Sequence, residues 1–167
     1  MFHLKKPDIP INESERLKAL SEYRILGTKP EENYDDITKI ASLTCGTPIA
    51  LLSLVDSDRQ WFKAKVGIDA QETVRDWSFC AHAIHSSEPL IVEDALQDER
   101  FFDNPLVKGE PKIRLYAGFP LQNEENLRIG TLCVIDREPH GLTDIQLNVM
   151  ESLSRQAVAF LELRKRS

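Results

Sequence analysis

Apolar positions recur at helical spacing near both ends of this chain, and in alternation or short unbroken runs between them. Residues 1–11 carry two prolines and read as a loose arm. Asn12 with Glu15 three residues on makes a capping-box pattern. It predicts a helix over 13–26 that buries Leu17, Leu20 and Tyr23 and stops at Gly27. A second helix is expected from Pro30, with Ile37, Ile40, Ala41 and Thr44 as its stripe and Gly46 as its end. Residues 48–55 are almost continuously apolar, which predicts a central strand covered on both faces. The polar turn 56–59 leads to a returning strand over 60–66, broken by Gly67.

Residues 68–76 are polar and irregular, and 77–85 read as a short apolar helix. A short strand over 89–93 precedes a charged excursion, 94–112, expected to hold one short helix. Strands over 113–121 and 128–135 form a second hairpin. The last helix has the clearest start: Thr143 and Gln146 form a capping box, and Leu142 and Leu147 stand at hydrophobic-staple positions. It should run to about residue 163. The order predicts an α+β fold in one domain, 12–167, with a central antiparallel sheet and helices on both faces.

Composition narrows the function. Hydrophobic residues are 41% and charged residues 29% of the 167, ordinary for a globular chain. A net charge of −6 argues against nucleic acid as a partner, because phosphate binding needs clustered cations. The one dense basic run, Arg164-Lys165-Arg166, suits a helix C-terminus. No apolar run has the length of a membrane span, and the first residues lack a signal-peptide core, so no membrane partner is expected. Cys45, Cys80 and Cys133 are odd in number and far apart, which favours a reducing cytoplasm over a disulfide framework.

Several strings together resemble bacterial GAF domains of the kind found beside histidine kinases and diguanylate cyclases. They are residues 49–56 (IALLSLVD), 59–64 (RQWFKA), 78–84 (SFCAHAI), 104–107 (NPLV), 116–118 (YAG) and 130–136 (GTLCVID). The leading helix and the closing helix also look like this subfamily, so the resemblance spans nearly the whole chain. It implies a GAF-like (PAS/profilin-like) sheet with the terminal helices on one face and a small-molecule pocket on the other. It also implies a homodimer through the terminal helices and a signalling role. Two positions depart from the pattern. Gly27 stands where the subfamily usually has Asp, and Phe119 stands where it often has a small residue, so the ring is expected to reduce the pocket.

No complete catalytic signature is present: there is no P-loop, Gly-x-Ser-x-Gly, His-Glu-x-x-His or dinucleotide fingerprint. Cys80, His82 and His85 lack a second ligand cluster, so no metal is expected. The excursion before the last hairpin has no cysteine, so no covalent bilin is expected. No Asn is followed by Lys or Arg, which weakens a cyclic-nucleotide reading.

The candidate ligand-binding residues are Trp61, Ser78, Cys80, His82, Asp94, Arg114 and Tyr116. Trp61 lines the pocket or fills core; Ser78 touches ligand or caps the short helix. On strand 113–121, alternation puts Ile113, Leu115, Ala117, Phe119 and Leu121 on one face and Arg114, Tyr116 and Gly118 on the other. Arg114 then meets solvent or an acid, with Asp94 and Asp98 as candidate partners.

The leading reading is a stand-alone sensory module that binds a small molecule or relays a signal. The alternative is a small redox enzyme using Cys80 or Cys133, like the methionine sulfoxide reductases built on this fold. The last helix carries apolar residues over a broad arc, including Ile145 and Val158. Its candidate dimer interface is Val149, Met150, Leu153, Ala157 and Leu161, unless the N-terminal helix covers that arc. With the sequence closing at Ser167, output is expected to pass to a separate signalling protein or within the dimer.

Overall fold

The computed structural model describes residues 4–167. Helices α1 (Glu13–Glu22) and α2 (Glu32–Cys45) lead into strands β1 (Ile49–Val55), β2 (Arg59–Val66) and β3 (Glu72–Val74). After a 3₁₀ turn (Arg75–Trp77) come α3 (Phe79–Ala83), β4 (Leu90–Val92), a second 3₁₀ turn (Ala95–Gln97) and α4 (Pro105–Lys108). The chain closes with β5 (Leu115–Gln122), β6 (Arg128–Asp136) and α5 (Asp144–Arg166). The six strands form one antiparallel sheet in the order β3-β2-β1-β6-β5-β4, the α+β arrangement expected from the sequence.

The central strands separate two cores. Along β1, Ala50, Leu52 and Leu54 join α1, α2 and α5 on one side. Ile49, Leu51 and Val55 join α3 and the excursion on the other. Along β6, Leu132 and Val134 take the helix side, and Cys133 and Ile135 the opposite side. Alternation on a pleated strand dictates this division.

The strands fall close to their expected bounds. β3 lies in the stretch read as irregular, and has only three residues with no buried alternation to reveal it. The expected helix 77–85 is split, because Ser78 is extended (φ −77, ψ 123) and starts α3 afresh. α1 stops four residues early: Arg24 takes a left-handed φ of 51, ahead of Gly27. Asn12 makes no side-chain cap; its ψ of 27 is not the extended conformation a cap needs. Ile40, assigned to the buried stripe of α2, is 45% exposed. The capping box of Thr143 and Gln146 is present as expected. Residues of the arm lie against the domain: Pro7 is buried, and the Asp8 carbonyl is 2.8 Å from His85 Nε2.

α1 is tied to the sheet edge by charge. Glu13 pairs with Arg16 (Nε to Oε1, 2.8 Å) and with Arg75, whose Nη1 also donates to the Asp56 carbonyl at 2.9 Å. Both guanidiniums are buried, and the Nη atoms of Arg16 have no hydrogen-bond partner among the described residues. One carboxylate therefore compensates two cations. Burial pushes the Glu13 carboxyl up, but bonds from Arg75 and Arg16 outweigh it and hold it below its ordinary value. A depressed carboxylate contributes stability above the unfolded pKa, near 4.5, and loses it as pH falls through the folded value. Glu13→Gln should cost about 2–3 kcal/mol in urea unfolding at neutral pH and flatten the fall in stability below about pH 4.5.

A second constraint is the approach of β6 to β1. A Cβ on Gly130 would lie 2.0 Å from the Ser53 carbonyl oxygen and 2.9 Å from Leu54 Cα, both backbone atoms of β1. Gly130→Ala should force the central pair apart and lower stability by about 2–3 kcal/mol, read as a lower urea midpoint.

Candidate functional site

The side of the sheet away from the terminal helices is not fully filled. Between β1, β2, β5 and β6 below and α3 with the excursion above lies a cavity of about 370 Å³. Its walls are mostly apolar, from Ile49, Leu51, Phe62, Phe79, Leu106, Ile113 and Ile135. Asp69, Glu110 and Arg137 bring charge to its lining, and Gln60, Thr73, Tyr116, Cys80 and Cys133 bring polar groups. Phe79 stacks on Phe101 at 4.0 Å between centroids and tilts against Tyr116 at 5.0 Å, which fixes the α3 wall.

Two polar chains run beside this cavity. Gln60 Oε1 accepts from Ser53 Oγ (3.1 Å) and Ser78 Oγ (2.8 Å), and its Nε2 donates to Thr73 Oγ1 (2.6 Å). Separately, Cys80 Sγ lies 2.9 Å from Thr131 Oγ1, and Tyr116 OH donates to Cys80 Sγ at 3.3 Å. Burial raises the Tyr116 phenol well above its ordinary pKa, so it stays a donor. Burial also pushes the Cys80 thiol up, but hydrogen bonds with Cys133, Ser53, Thr131 and Tyr116 outweigh it and pull it down to about 6. Cys133 is pushed well up, first by burial and then by Cys80, so Cys80 is the thiol that loses its proton first.

The seven candidate ligand residues do not converge. Cys80 and Tyr116 line the cavity. Trp61 packs in the helix-side core, because Gln60 and Phe62 take the cavity-facing positions of β2. Ser78 is the N-cap of α3, accepting from Ala81 N at 3.0 Å. His82 sits edge-on to Phe101 at 4.9 Å, and burial pushes its pKa down to about 4. Asp94 caps the second 3₁₀ turn at Leu96 N. Arg114 donates to the carbonyls of Val107 (3.0 Å) and Ile113 (2.9 Å) rather than to an acid. Asp98 pairs with Arg100 at 2.8 Å instead.

Strand β5 begins only at Leu115, so Ile113 escapes the alternation and shares the cavity-side core with Tyr116. Phe119 points into the helix-side core, so its ring does not narrow the cavity. Sequence reasoning missed Gln60, Ser53 and Thr131. The last two are hydroxyls in apolar strands, and they sit opposite one another in the β1–β6 register. That paired polar intrusion was the available signal.

The expected dimer residues divide. Met150, Ala157 and Leu161 are buried in the chain's own core and cannot reach a partner. Val149 and Leu153 are half-buried. The outward face of α5 instead presents Ile145 (75% exposed) and Leu163 (63%), with Leu43 (72%) on α2.

Ser78→Ala should lower stability by about 1–2 kcal/mol, since it loses the cap and the bond to Gln60. A cap that never touches ligand should leave retention of any bound small molecule unchanged in native mass spectrometry.

Comparison with known proteins gives a consistent set. Residues 29–161 match the profile of the GAF domain family. A cyclic di-GMP phosphodiesterase of Pseudomonas aeruginosa is 43% identical over 154 residues, covering 92% of this chain and 26% of that protein. The chain thus spans about a quarter of that relative's length. The GAF domain of an Acinetobacter phosphoenolpyruvate-protein phosphotransferase superposes with a TM-score of 0.64 at 14% identity, covering 89% of this chain and 92% of that one. A type II free methionine-R-sulfoxide reductase of Thermoplasma acidophilum superposes with a TM-score of 0.57 at 10% identity, covering 78% and 96%. At these identities the two solved structures speak to the fold alone. Among the described residues, no helix is long and apolar enough to cross a membrane.

Proposed function

The chain belongs to the GAF domain family, and on that premise we propose that it is a sensory module whose cavity takes up a small molecule and whose helical face reports it. The observation that carries this reading is the cavity itself. It is mostly apolar, holds a few convergent polar groups, and adjoins strands whose alternate residues pack against α5. A ligand pressing on Cys133 or Ile135 shifts a strand whose Leu132 and Val134 form the floor under the helices. No chemistry is assigned to the chain in this reading; Cys80 and Tyr116 are its contact residues.

The reporting face is the outward side of α5 with α2, and a second copy of the chain is its proposed partner. Ile145, Val149, Phe160 and Leu163 fall within about 60° of one another at 100° per residue, beside the buried arc of Met150, Ala157 and Leu161. Ile40 and Leu43 extend that surface onto α2. The 43% identical relative points to an output of the cyclic di-GMP class, carried by another domain or protein.

The test is native mass spectrometry of freshly purified protein, with Ala70→Trp as a variant that blocks the cavity rim at an exposed position. A retained small molecule that is lost in the variant, with thermal stability unchanged, is the expected result. A cavity that binds nothing from extract or from a metabolite panel overturns the ligand reading. For the helical face, light scattering over a dilution series should show a dimer that Ile145→Glu with Leu163→Glu weakens by about tenfold or more. A native protein that is monomeric at every concentration overturns the relay.

A further inference from the structure

The cavity holds two thiols from different elements. Cys80 comes from α3 above, and Cys133 from β6 below. Thr131 Oγ1 is 2.9 Å from Cys80 Sγ, and Thr131 stands two residues before Cys133 on the same face of β6. That contact sets the Cys80 sulfur beside the strand face that carries Cys133, and both thiols line the one cavity. All three cysteines are free, and the third, Cys45, lies in the helix-side core with the sheet in between. Mostly apolar walls admit neutral reagents, and the charged lining groups are of both signs, Asp69 and Glu110 with Arg137.

We propose that Cys80 and Cys133 form a reversible thiol–disulfide switch inside the cavity, driven by a neutral hydroperoxide. This rests on the cavity admitting small molecules, as in the reading above. The Cys80 thiolate attacks the terminal oxygen of the hydroperoxide. An S–O bond forms, the O–O bond breaks, and the alcohol leaves with the proton that Cys80 released. Cys133 then attacks the Cys80 sulfur. An S–S bond forms, the S–O bond breaks, and water leaves with the Cys133 proton. Two thiols are oxidised by two electrons, and the hydroperoxide is reduced to alcohol and water. A dithiol restores the pair.

The roles follow from position. Tyr116 OH and Thr131 both bond the Cys80 sulfur, which holds negative charge there, and α3 sets that sulfur above the strand. Cys133 is flanked in sequence by Leu132 and Val134, both in the core under the terminal helices. Linking it to α3 therefore ties the cavity roof to the strand that carries the helical face.

The experiment treats reduced protein with hydrogen peroxide and, separately, with cumene hydroperoxide. The protein is then quenched, unfolded and assayed for thiols, and its peptides are mapped without reduction. Titratable thiols should fall from three to one, with the Cys80 and Cys133 peptides joined and Cys45 free. Cys133→Ser should accumulate a dimedone-trapped sulfenic acid at Cys80, and Cys80→Ser should lose thiol at Cys133 about tenfold more slowly. Three thiols remaining, or a bridge to Cys45 or between chains, overturns the switch. Iodoacetamide labelling of the native protein runs in parallel. Labelling at Cys80 with peroxide inertness leaves the open cavity standing and removes the switch. Inertness of both cavity thiols to both reagents removes the switch and the accessible cavity together.

Discussion

Because β1 and β6 are covered on both faces, their apolar side chains divide between two separate cores, and the backbone between them is a shared wall. Everything else follows from that wall holding its place. Buried strand backbone has no water to turn to, so its amides and carbonyls must stay paired across the ladder. The close approach at Gly130 and Ser53 sets how near the two strands can lie. On one side three helices complete the packing with aliphatic and aromatic residues. On the other, short helical turns cannot cover so broad a surface, and a cavity remains beneath them.

The polar groups around that cavity are costly unless satisfied, since an unpaired buried hydroxyl or amide forfeits about 1–3 kcal/mol. The structure meets this by coupling them. Gln60 serves Ser53, Ser78 and Thr73 at once, and so links β1, β2, β3 and the start of α3. Tyr116, Thr131 and Cys80 form a second group that spans β5, β6 and α3. A ligand here meets a surface whose hydrogen bonds are already allotted. Selectivity then rests on shape and on the few lone pairs left over, as expected of a mostly apolar site.

Much of the fold was legible because its signals were local. The unbroken run 49–55, the stop at Gly46 and the box of Thr143 with Gln146 each act over a few residues, and each took the expected form. The site was less legible because it depends on which face a residue takes. Between Leu52 and Ser53 the register with β2 shifts, so Lys63 has no partner in the β1 ladder. Trp61, Lys63 and Ala64 all turn toward the helix side, a grouping that simple alternation denies. Arg114 misled for a similar reason. Its charge suggested an acid, but backbone carbonyls at the end of α4 were nearer. In α5 the broad arc was read as one surface, whereas packing divides it into a buried side with Met150 and Leu161 and an outward side with Ile145 and Leu163.

Glu31 receives both Lys63, at 2.5 Å, and Arg164, at 2.9 Å, and Lys63 has no solvent-exposed side-chain surface. Arg164 also donates to the carbonyls of Tyr23 and Arg24 at 3.0 Å. The far end of α5 is joined to α2 by a neutral bond, Gln146 Nε2 to the Thr44 carbonyl at 3.2 Å. The two ends of this 23-residue rod, about 34 Å long, are therefore unequally held. Loosening the first turn breaks that neutral bond and the two neutral bonds of the capping box. Loosening the last turn breaks the Arg164 pair with Glu31 and its bonds to the Tyr23 and Arg24 carbonyls together, leaving Glu31 to Lys63. The ionic anchor of α5 is at Arg164, and the end at Thr143 is held by neutral bonds and apolar packing. Ile145, the most exposed large apolar residue of α5, stands at the end held by neutral bonds.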